Sequence, residues 1–335
     1  IYDANGNITH QTRKDHNGAL IDNMEYKYAE GANGKVQNRL YHVIEDQSIP
    51  SNLYTDDMED QGTFDPTLNT INQNNNYGFD EMGNLIRDDK EGIEEIKWRV
   101  DGKIAEIDMT AASGKPDLKF DYNVMGLRIA KHVIDQSGIL QKTEYYSHDL
   151  TGNIIAVYLY KPDDNTPQHL ASYKLSEFDI YSPGKMGVVK SDLEMIGAIV
   201  NSDEYNHELG KKNYFFSNHL GNIITTTSDK KIPVESTITT GEVEYNIAEI
   251  VTAVDYSPFG VELYDRRFSV AATAYGFNGQ RKDNEIYGEG NSYTTEFRQL
   301  DTRLGRWLSL DLLKGKFPFY SPYISMNNSP ISIMD

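Results

Sequence analysis

The sequence predicts an all-β fold made of repeated antiparallel hairpins, and three observations predict it. A turn frame of one kind recurs six times along the 335 residues, apolar and polar residues alternate between the turns, and the chain carries 23 Tyr against 2 Trp while only 38% hydrophobic. The first two are the marks of hairpins and strands. The third suits broad sheet faces that stay partly in water.

Taken in order, the frame first runs Tyr2-Asp3-Ala4-Asn5-Gly6-Asn7-Ile8. It returns as Phe79-Asp80-Glu81-Met82-Gly83-Asn84-Leu85, as Tyr122-Asn123-Val124-Met125-Gly126-Leu127-Arg128 and as His148-Asp149-Leu150-Thr151-Gly152-Asn153-Ile154. Ser217-Asn218-His219-Leu220-Gly221-Asn222-Ile223 repeats it again, and Trp98-Arg99-Val100-Asp101-Gly102-Lys103-Ile104 is a shortened version. An Asp or Asn side chain opens such a turn, Gly supplies a positive φ, and strands leave on both sides. Residues 93–100 and 154–160 alternate as strands do. Residues 47–76 and 161–169, rich in Asn, Asp, Thr and Pro, read as surface loops. Asp192 to Leu209 reads as a short helix around Ile196, Ile199 and Val200, with no chemistry placed on it.

The stretch from Tyr275 to Asp335 differs from the rest. Phe297, Leu300, Leu304, Trp307, Leu308 and Leu310 surround Arg298, Asp301, Arg303, Arg306 and Asp311, so part of this charge is expected to be buried and paired. Pro318, Pro322 and Pro330 forbid a long helix, and the chain after Asp311 is expected to wind irregularly over a surface as a plug.

Composition narrows the function. A net charge of −19 from 51 carboxylates repels phosphates, which argues against nucleic acid and anionic membranes as partners. No run of eighteen apolar residues is present, so no membrane span is expected. Without cysteine there is no disulfide or thiolate metal site. The eight His are scattered with no pair at metal spacing, Asp163-Asp164 lacks the ligand spacing of a Ca²⁺ loop, and Gly288-Glu289-Gly290-Asn291 lacks the Lys and helix of a phosphate cradle. No cofactor or metal is expected. Ile1-Tyr2-Asp3 opens inside a repeat, so the chain reads as a piece of something longer.

These repeats resemble the YD repeats of bacterial RHS proteins. Tyr181-Ser182-Pro183-Gly184-Lys185-Met186-Gly187-Val188, Asn218-His219-Leu220-Gly221-Asn222, Tyr256-Ser257-Pro258-Phe259-Gly260 and Gly276-Phe277-Asn278-Gly279-Gln280 come in that order. Followed by Asp301-Thr302-Arg303-Leu304-Gly305-Arg306-Trp307 and Asn327-Asn328, they are similar to the C-terminal RHS region of Bacteroidota proteins. The resemblance implies a YD/RHS repeat β-shell over 1–270 that spirals into a hollow, closed by an RHS core-associated plug domain over 271–335. It also implies that the shell encloses a variable C-terminal toxin, and that the plug is an aspartate-dependent autoprotease that cuts the toxin free.

In the family the protease uses an Arg in an aromatic-Arg-x-x-Asp motif and two Asp residues, each usually followed by Pro. The matching positions are Arg298 in Phe297-Arg298-Gln299-Leu300-Asp301, Asp311, and Asp335. Two carboxylates brought close share a proton, so that one acts as base toward water and the other as acid. Here Asp311 is followed by Leu312 instead of Pro, and the same residues would also serve as a salt-bridge cluster that locks the plug; Arg306 is read as structural.

The function that follows is the C-terminal shell and plug of a secreted or cell-surface bacterial RHS protein that encapsulates or presents a C-terminal toxin or effector. Its partners are the upstream repeats of the same polypeptide, the toxin cargo and a bacterial secretion machinery, with type IX as the route for a Bacteroidota-like protein. The alternative is a non-cleaving exported adhesin or scaffold.

Overall fold

The computed structural model describes residues 1–15, 17–30, 36–46, 48–49, 58, 61–65, 75–163, 171–182, 184–196 and 208–333. The fold is all-β and antiparallel, with one single-turn α-helix among the described residues. It divides into two compact units, one formed by Ile1–Lys119, Asp255–Arg267 and Ala274–Asp335, the other by Phe120–Val254 and Phe268–Thr273.

The first unit opens with a three-stranded sheet of β1 (His10–Lys14), β2 (Leu20–Glu30) and β3 (Val36–Glu45). A hairpin meander of β4 (Tyr77–Phe79), β5 (Leu85–Asp88), β6 (Ile93–Trp98) and β7 (Ile104–Met109) follows. Along the chain come β8 (Asp117–Tyr122), β9 (Arg128–Ile134), β10 (Leu140–His148), β11 (Ile154–Lys161), β12 (Ser172–Ser182), β13 (Gly184–Glu194), β14 (Lys212–Ser217), β15 (Ile223–Glu235), β16 (Val243–Tyr256) and β17 (Glu262–Ser269). Within the second unit β9 to β15 are also sequential antiparallel neighbours. The C-terminal stretch returns to the first unit as a small sheet, β18 (Arg281–Lys282), β19 (Ser292–Thr294), β20 (Gln299–Asp301) and β21 (Arg306–Trp307), with the helix α1 (Asn284–Tyr287) between β18 and β19.

All six expected turns are present with the same two backbone bonds, and in five of them an Asp or Asn side chain also accepts; the sixth opens on Arg99. In the first, Asp3 N–H donates to Asn7 O and Gly6 N–H to Asp3 O, while Asp3 Oδ1 accepts from the backbone of Asn5 and Asn7, both at 2.8 Å. Asn123 and Asn218 do with an amide oxygen what Asp3, Asp80 and Asp149 do with a carboxylate. The glycine in each turn has φ between 78° and 93°, a region closed to most side chains.

The aromatic alternation also appears as paired rings. Tyr145 of β10 faces Tyr158 of β11, Tyr160 of β11 faces Tyr173 of β12, and the Tyr158 and Tyr173 rings stack 5.6 Å apart. Low hydrophobicity is distributed unevenly: the largest fully buried side chains, among them Met24, Ile93, Ile107, Phe277, Tyr293 and Tyr323, all lie in the first unit.

The expected helix over Asp192 to Leu209 is corrected at its start. Asp192, Leu193 and Glu194 are the end of β13, because their backbones pair with β12 through Leu175↔Leu193 and Lys174↔Glu194. Residues 197–207 of that expectation lie outside the described residues, as do most of 47–76 and 164–169. No helix is long and apolar enough to cross a membrane among the described residues.

Candidate functional site

The C-terminal segment positions its charges from the backbone outward. A tight turn before β20 is closed by Thr295 N–H donating to Arg298 O at 3.0 Å and Arg298 N–H donating to Thr295 Oγ1 at 3.1 Å. β20 then pairs with β21 through Leu300↔Trp307 and Asp301↔Arg306. This brings the Arg298 guanidinium over the Trp307 ring, 4.4 Å from its centroid, where the indole face attracts the cation. After β21 the chain is held by Asp311 N–H donating to Pro322 O at 2.9 Å. Asp311 Oδ2 thereby comes 3.3 Å from Arg298 Nη2.

The pair is asymmetric in its exposure. The Arg298 side chain is largely buried, whereas about a third of the Asp311 side chain (34%) reaches solvent. Asp311 Oδ1 also accepts from Leu313 N–H at 2.6 Å. This places a carboxylate that reaches solvent beside a cation held on an aromatic face. Leu312, Leu313 and Phe297 are exposed. Of the three residues the sequence singled out, Arg298 and Asp311 are brought together, and Asp335 lies outside the described residues.

Arg306 is buried and structural. It donates to Tyr28 Oη at 2.9 Å and to Asn38 O at 2.7 Å, and its guanidinium sits 5.1 Å from the centroids of both Tyr28 and Tyr323. Burial pushes both phenols up to about 12, with Arg306 opposing the shift.

A second group of charges was not found from sequence. Arg303 bridges Asp301, with Nη2 at 2.8 Å from Oδ2, and the Glu91 carboxylate. Glu91 also takes Lys115 Nζ at 2.6 Å, and Lys115 donates onward to Ile286 O at 3.0 Å. Asp301 and Arg303 were expected to be buried and paired, but Glu91 lies 212 residues away in the chain and no local pattern marks it. Close by is Asp88, which is 1% exposed. Its Oδ1 accepts from Asn76 Nδ2 at 2.9 Å, and its Oδ2 has no hydrogen-bond partner among the described residues. Burial pushes the Asp88 carboxyl up to about 7, Arg303 pulls it down, and Glu91 and Asp301 raise it further.

In the second unit His132 joins Asp121 Oδ2 at 3.0 Å to Thr143 Oγ1 at 2.9 Å. The order is that of a nucleophile relay, but Thr143 is 1% exposed and closed to a substrate, so the three groups serve as a cross-strand link.

No protein-family model matches the chain, and no curated protein matches it. Solved structures do. The chain is similar over 100% of its length to a chain of the TcdB2-TccC3 crystal structure, with 13% identity and a TM-score of 0.59. It is similar over 97% of its length to a chain of the Photorhabdus luminescens Tc holotoxin pore, with 13% identity and a TM-score of 0.55. It is similar over 100% of its length to a chain of TcdB2-TccC3 lacking the hypervariable C-terminal region, with 12% identity and a TM-score of 0.51. It spans 13%, 14% and 18% of those chains respectively. At such identity the likeness is one of fold: the chain has, throughout its length, the β-repeat fold found in part of the Tc toxin complexes.

Proposed function

We propose that this chain is the C-terminal repeat and plug region of an RHS-type protein that encloses or presents a C-terminal toxin, and that the plug over 271–335 releases this cargo by aspartate-dependent self-cleavage. The observation that carries the reading is the whole-chain fold likeness to TcdB2-TccC3, one form of which was solved without a hypervariable C-terminal region. A hollow shell over 1–270, continued by upstream repeats, belongs to the same reading. So do export from a Bacteroidota-like cell by the type IX machinery and a role outside the cell or at its surface.

The Arg298–Asp311 pair supports the chemistry. Asp311, held in place by Arg298, takes a proton from water as the general base. The water oxygen forms a bond to the scissile carbonyl carbon, the C–N bond breaks, and the leaving amine takes its proton from a second carboxyl, for which the sequence resemblance offers Asp335.

A non-cleaving scaffold or adhesin is the competing reading. It is favoured by the engagement of both Asp311 oxygens, one with Leu313 N–H and one with Arg298, and by Leu312 in the place of a proline.

Intact mass of the full-length protein decides between them, measured beside Asp311→Asn and Asp335→Asn variants. The proposal expects a separate C-terminal fragment from the wild type and an uncut chain from both variants. An uncut wild type, or a variant cut as the wild type is, overturns the catalytic assignment and leaves the scaffold.

A further inference from the structure

One group of charges in the first unit forms a chain balanced in sign, with a buried carboxyl beside it. Asp301, Arg303, Glu91 and Lys115 alternate in sign, and each is bound to the next. This chain ties the turn after β5 to β20 and, through Lys115 and Ile286 O, to α1. Asp88, at the end of β5, is the fifth ionisable side chain, and nothing in the chain balances it. As a carboxylate it would add a buried negative charge beside this balanced chain; as a neutral acid it adds none.

We propose that Asp88 is a proton-operated latch: neutral, it lets the Asp301–Arg303–Glu91–Lys115 chain hold the 88–92 turn against the C-terminal segment, and on losing its proton it loosens that attachment. Its surroundings fit the role. Asp88 Oδ1 accepts from Asn76 Nδ2 at 2.9 Å and from Glu91 N–H at 3.4 Å, so the carboxyl is built into the turn it controls. The charged groups that act on it are Arg303, Glu91 and Asp301. Tyr77 and Tyr287 also face it, and burial raises both phenols so far that they stay neutral. Arg303 and the Asn76 hydrogen bond favour the ionised form, but Arg303 is already shared between two carboxylates.

The midpoint near pH 7 places the latch where modest changes of pH operate it. The sign follows from proton binding. Between the ordinary carboxyl value of 3.8 and about 7 the folded state holds a proton that the unfolded state has lost, so this group's contribution falls as pH rises through that window. Above about 7 the folded state itself is ionised, and the local attachment loosens.

Hydrogen exchange by mass spectrometry on the full-length protein tests this. In the wild type, segments covering 88–92 and 301–303 are expected to lose protection about tenfold or more between about pH 6 and pH 8.5, after correction for intrinsic exchange, while the β10–β11 hairpin does not. In Asp88→Asn this pH dependence is expected to vanish. Equal pH dependence in wild type and variant, or none in the wild type, overturns the proposal. Should Asp88→Asn fail to fold, infrared spectra of the wild type replace it: a protonated-carboxyl band that disappears across the same pH range supports the latch, and no such band overturns it.

Discussion

The hydroxyl of Tyr323 donates to the carbonyl oxygen of Gly83 at 2.6 Å, across 240 residues of chain. The bond ties the C-terminal segment to the tip of a repeat turn. The Tyr323 ring also packs edge-on against Phe79, with centroids 5.9 Å apart. Tyr323→Phe keeps the ring and deletes the donor, leaving a buried carbonyl unsatisfied. The expected loss is about 1–3 kcal/mol in urea unfolding.

Gly83→Ala is expected to cost more than Tyr323→Phe. Gly83 has φ +93°, and a Cβ there would lie 2.8 Å from Tyr323 Oη and 3.0 Å from Leu310 Cδ1. Backbone strain and overpacking act together, roughly 2–4 kcal/mol. Urea unfolding of the two single variants and the double variant should show non-additivity, since both changes disturb one contact.

Gly305→Ala is expected to destabilise the first unit by about 2 kcal/mol or more. Its φ is +64°, and an added Cβ would meet the Phe259 ring at 2.7–3.0 Å. Phe259→Leu in the same chain should recover part of the loss by vacating the ring position. A double variant no better than Gly305→Ala alone would assign the whole cost to the backbone.

Glu91→Gln removes the carboxylate shared by Arg303 and Lys115. Burial opposes ionisation of Glu91, but Arg303 and Lys115 overcome it and hold its carboxyl below the usual range. A lowered folded-state value means that the contribution is present above the ordinary 4.5 and is lost as pH falls through the folded-state value. Glu91→Gln is therefore expected to cost about 3 kcal/mol at pH 7, and the gap to wild type should narrow in acid. Unfolding curves at the two pH values check it.

Asp80→Ala is expected to cost about 1 kcal/mol, because Asp80 Oδ1 accepts from Asn84 N–H at 2.7 Å and Oδ2 from Asn84 Nδ2 at 2.9 Å. Asp80→Asn should be milder, since Asn123 and Asn218 close the same turn elsewhere. Thermal unfolding of the pair shows whether the oxygen or its charge matters.

The repeat was legible because its turn chemistry is local: Asp or Asn, two free positions and Gly suffice to define it. Three further turns of the same hydrogen-bond pattern went unread. Asp15 and Asp135 close onto Ala19 and Ile139, apolar residues where four of the six have Asn after the Gly, and Ser257 closes onto Val261 with a hydroxyl. Arg298 and Asp311 were each singled out by the family resemblance, while their contact was not. The Glu91 and Asp88 cluster was not, because burial and distant pairing leave no periodicity or spacing behind. The strand end at Asp192–Glu194 was misread for a related reason, since cross-strand pairing there overrides the local apolar clustering.

Tyr2 Oη donates to Asn328 O, Asn328 Nδ2 donates to Gly6 O and Ser321 N–H donates to Asn5 O, so the turn at residues 3–7 is completed by residues 321–328. During synthesis these partners emerge more than three hundred residues apart, a delay of roughly 15 to 60 seconds at ordinary elongation rates. Until then the turn at residues 3–7 lacks these three bonds. Such long-range closure also makes the first unit slow to fold, since loop-closure entropy has to be met before the contacts form.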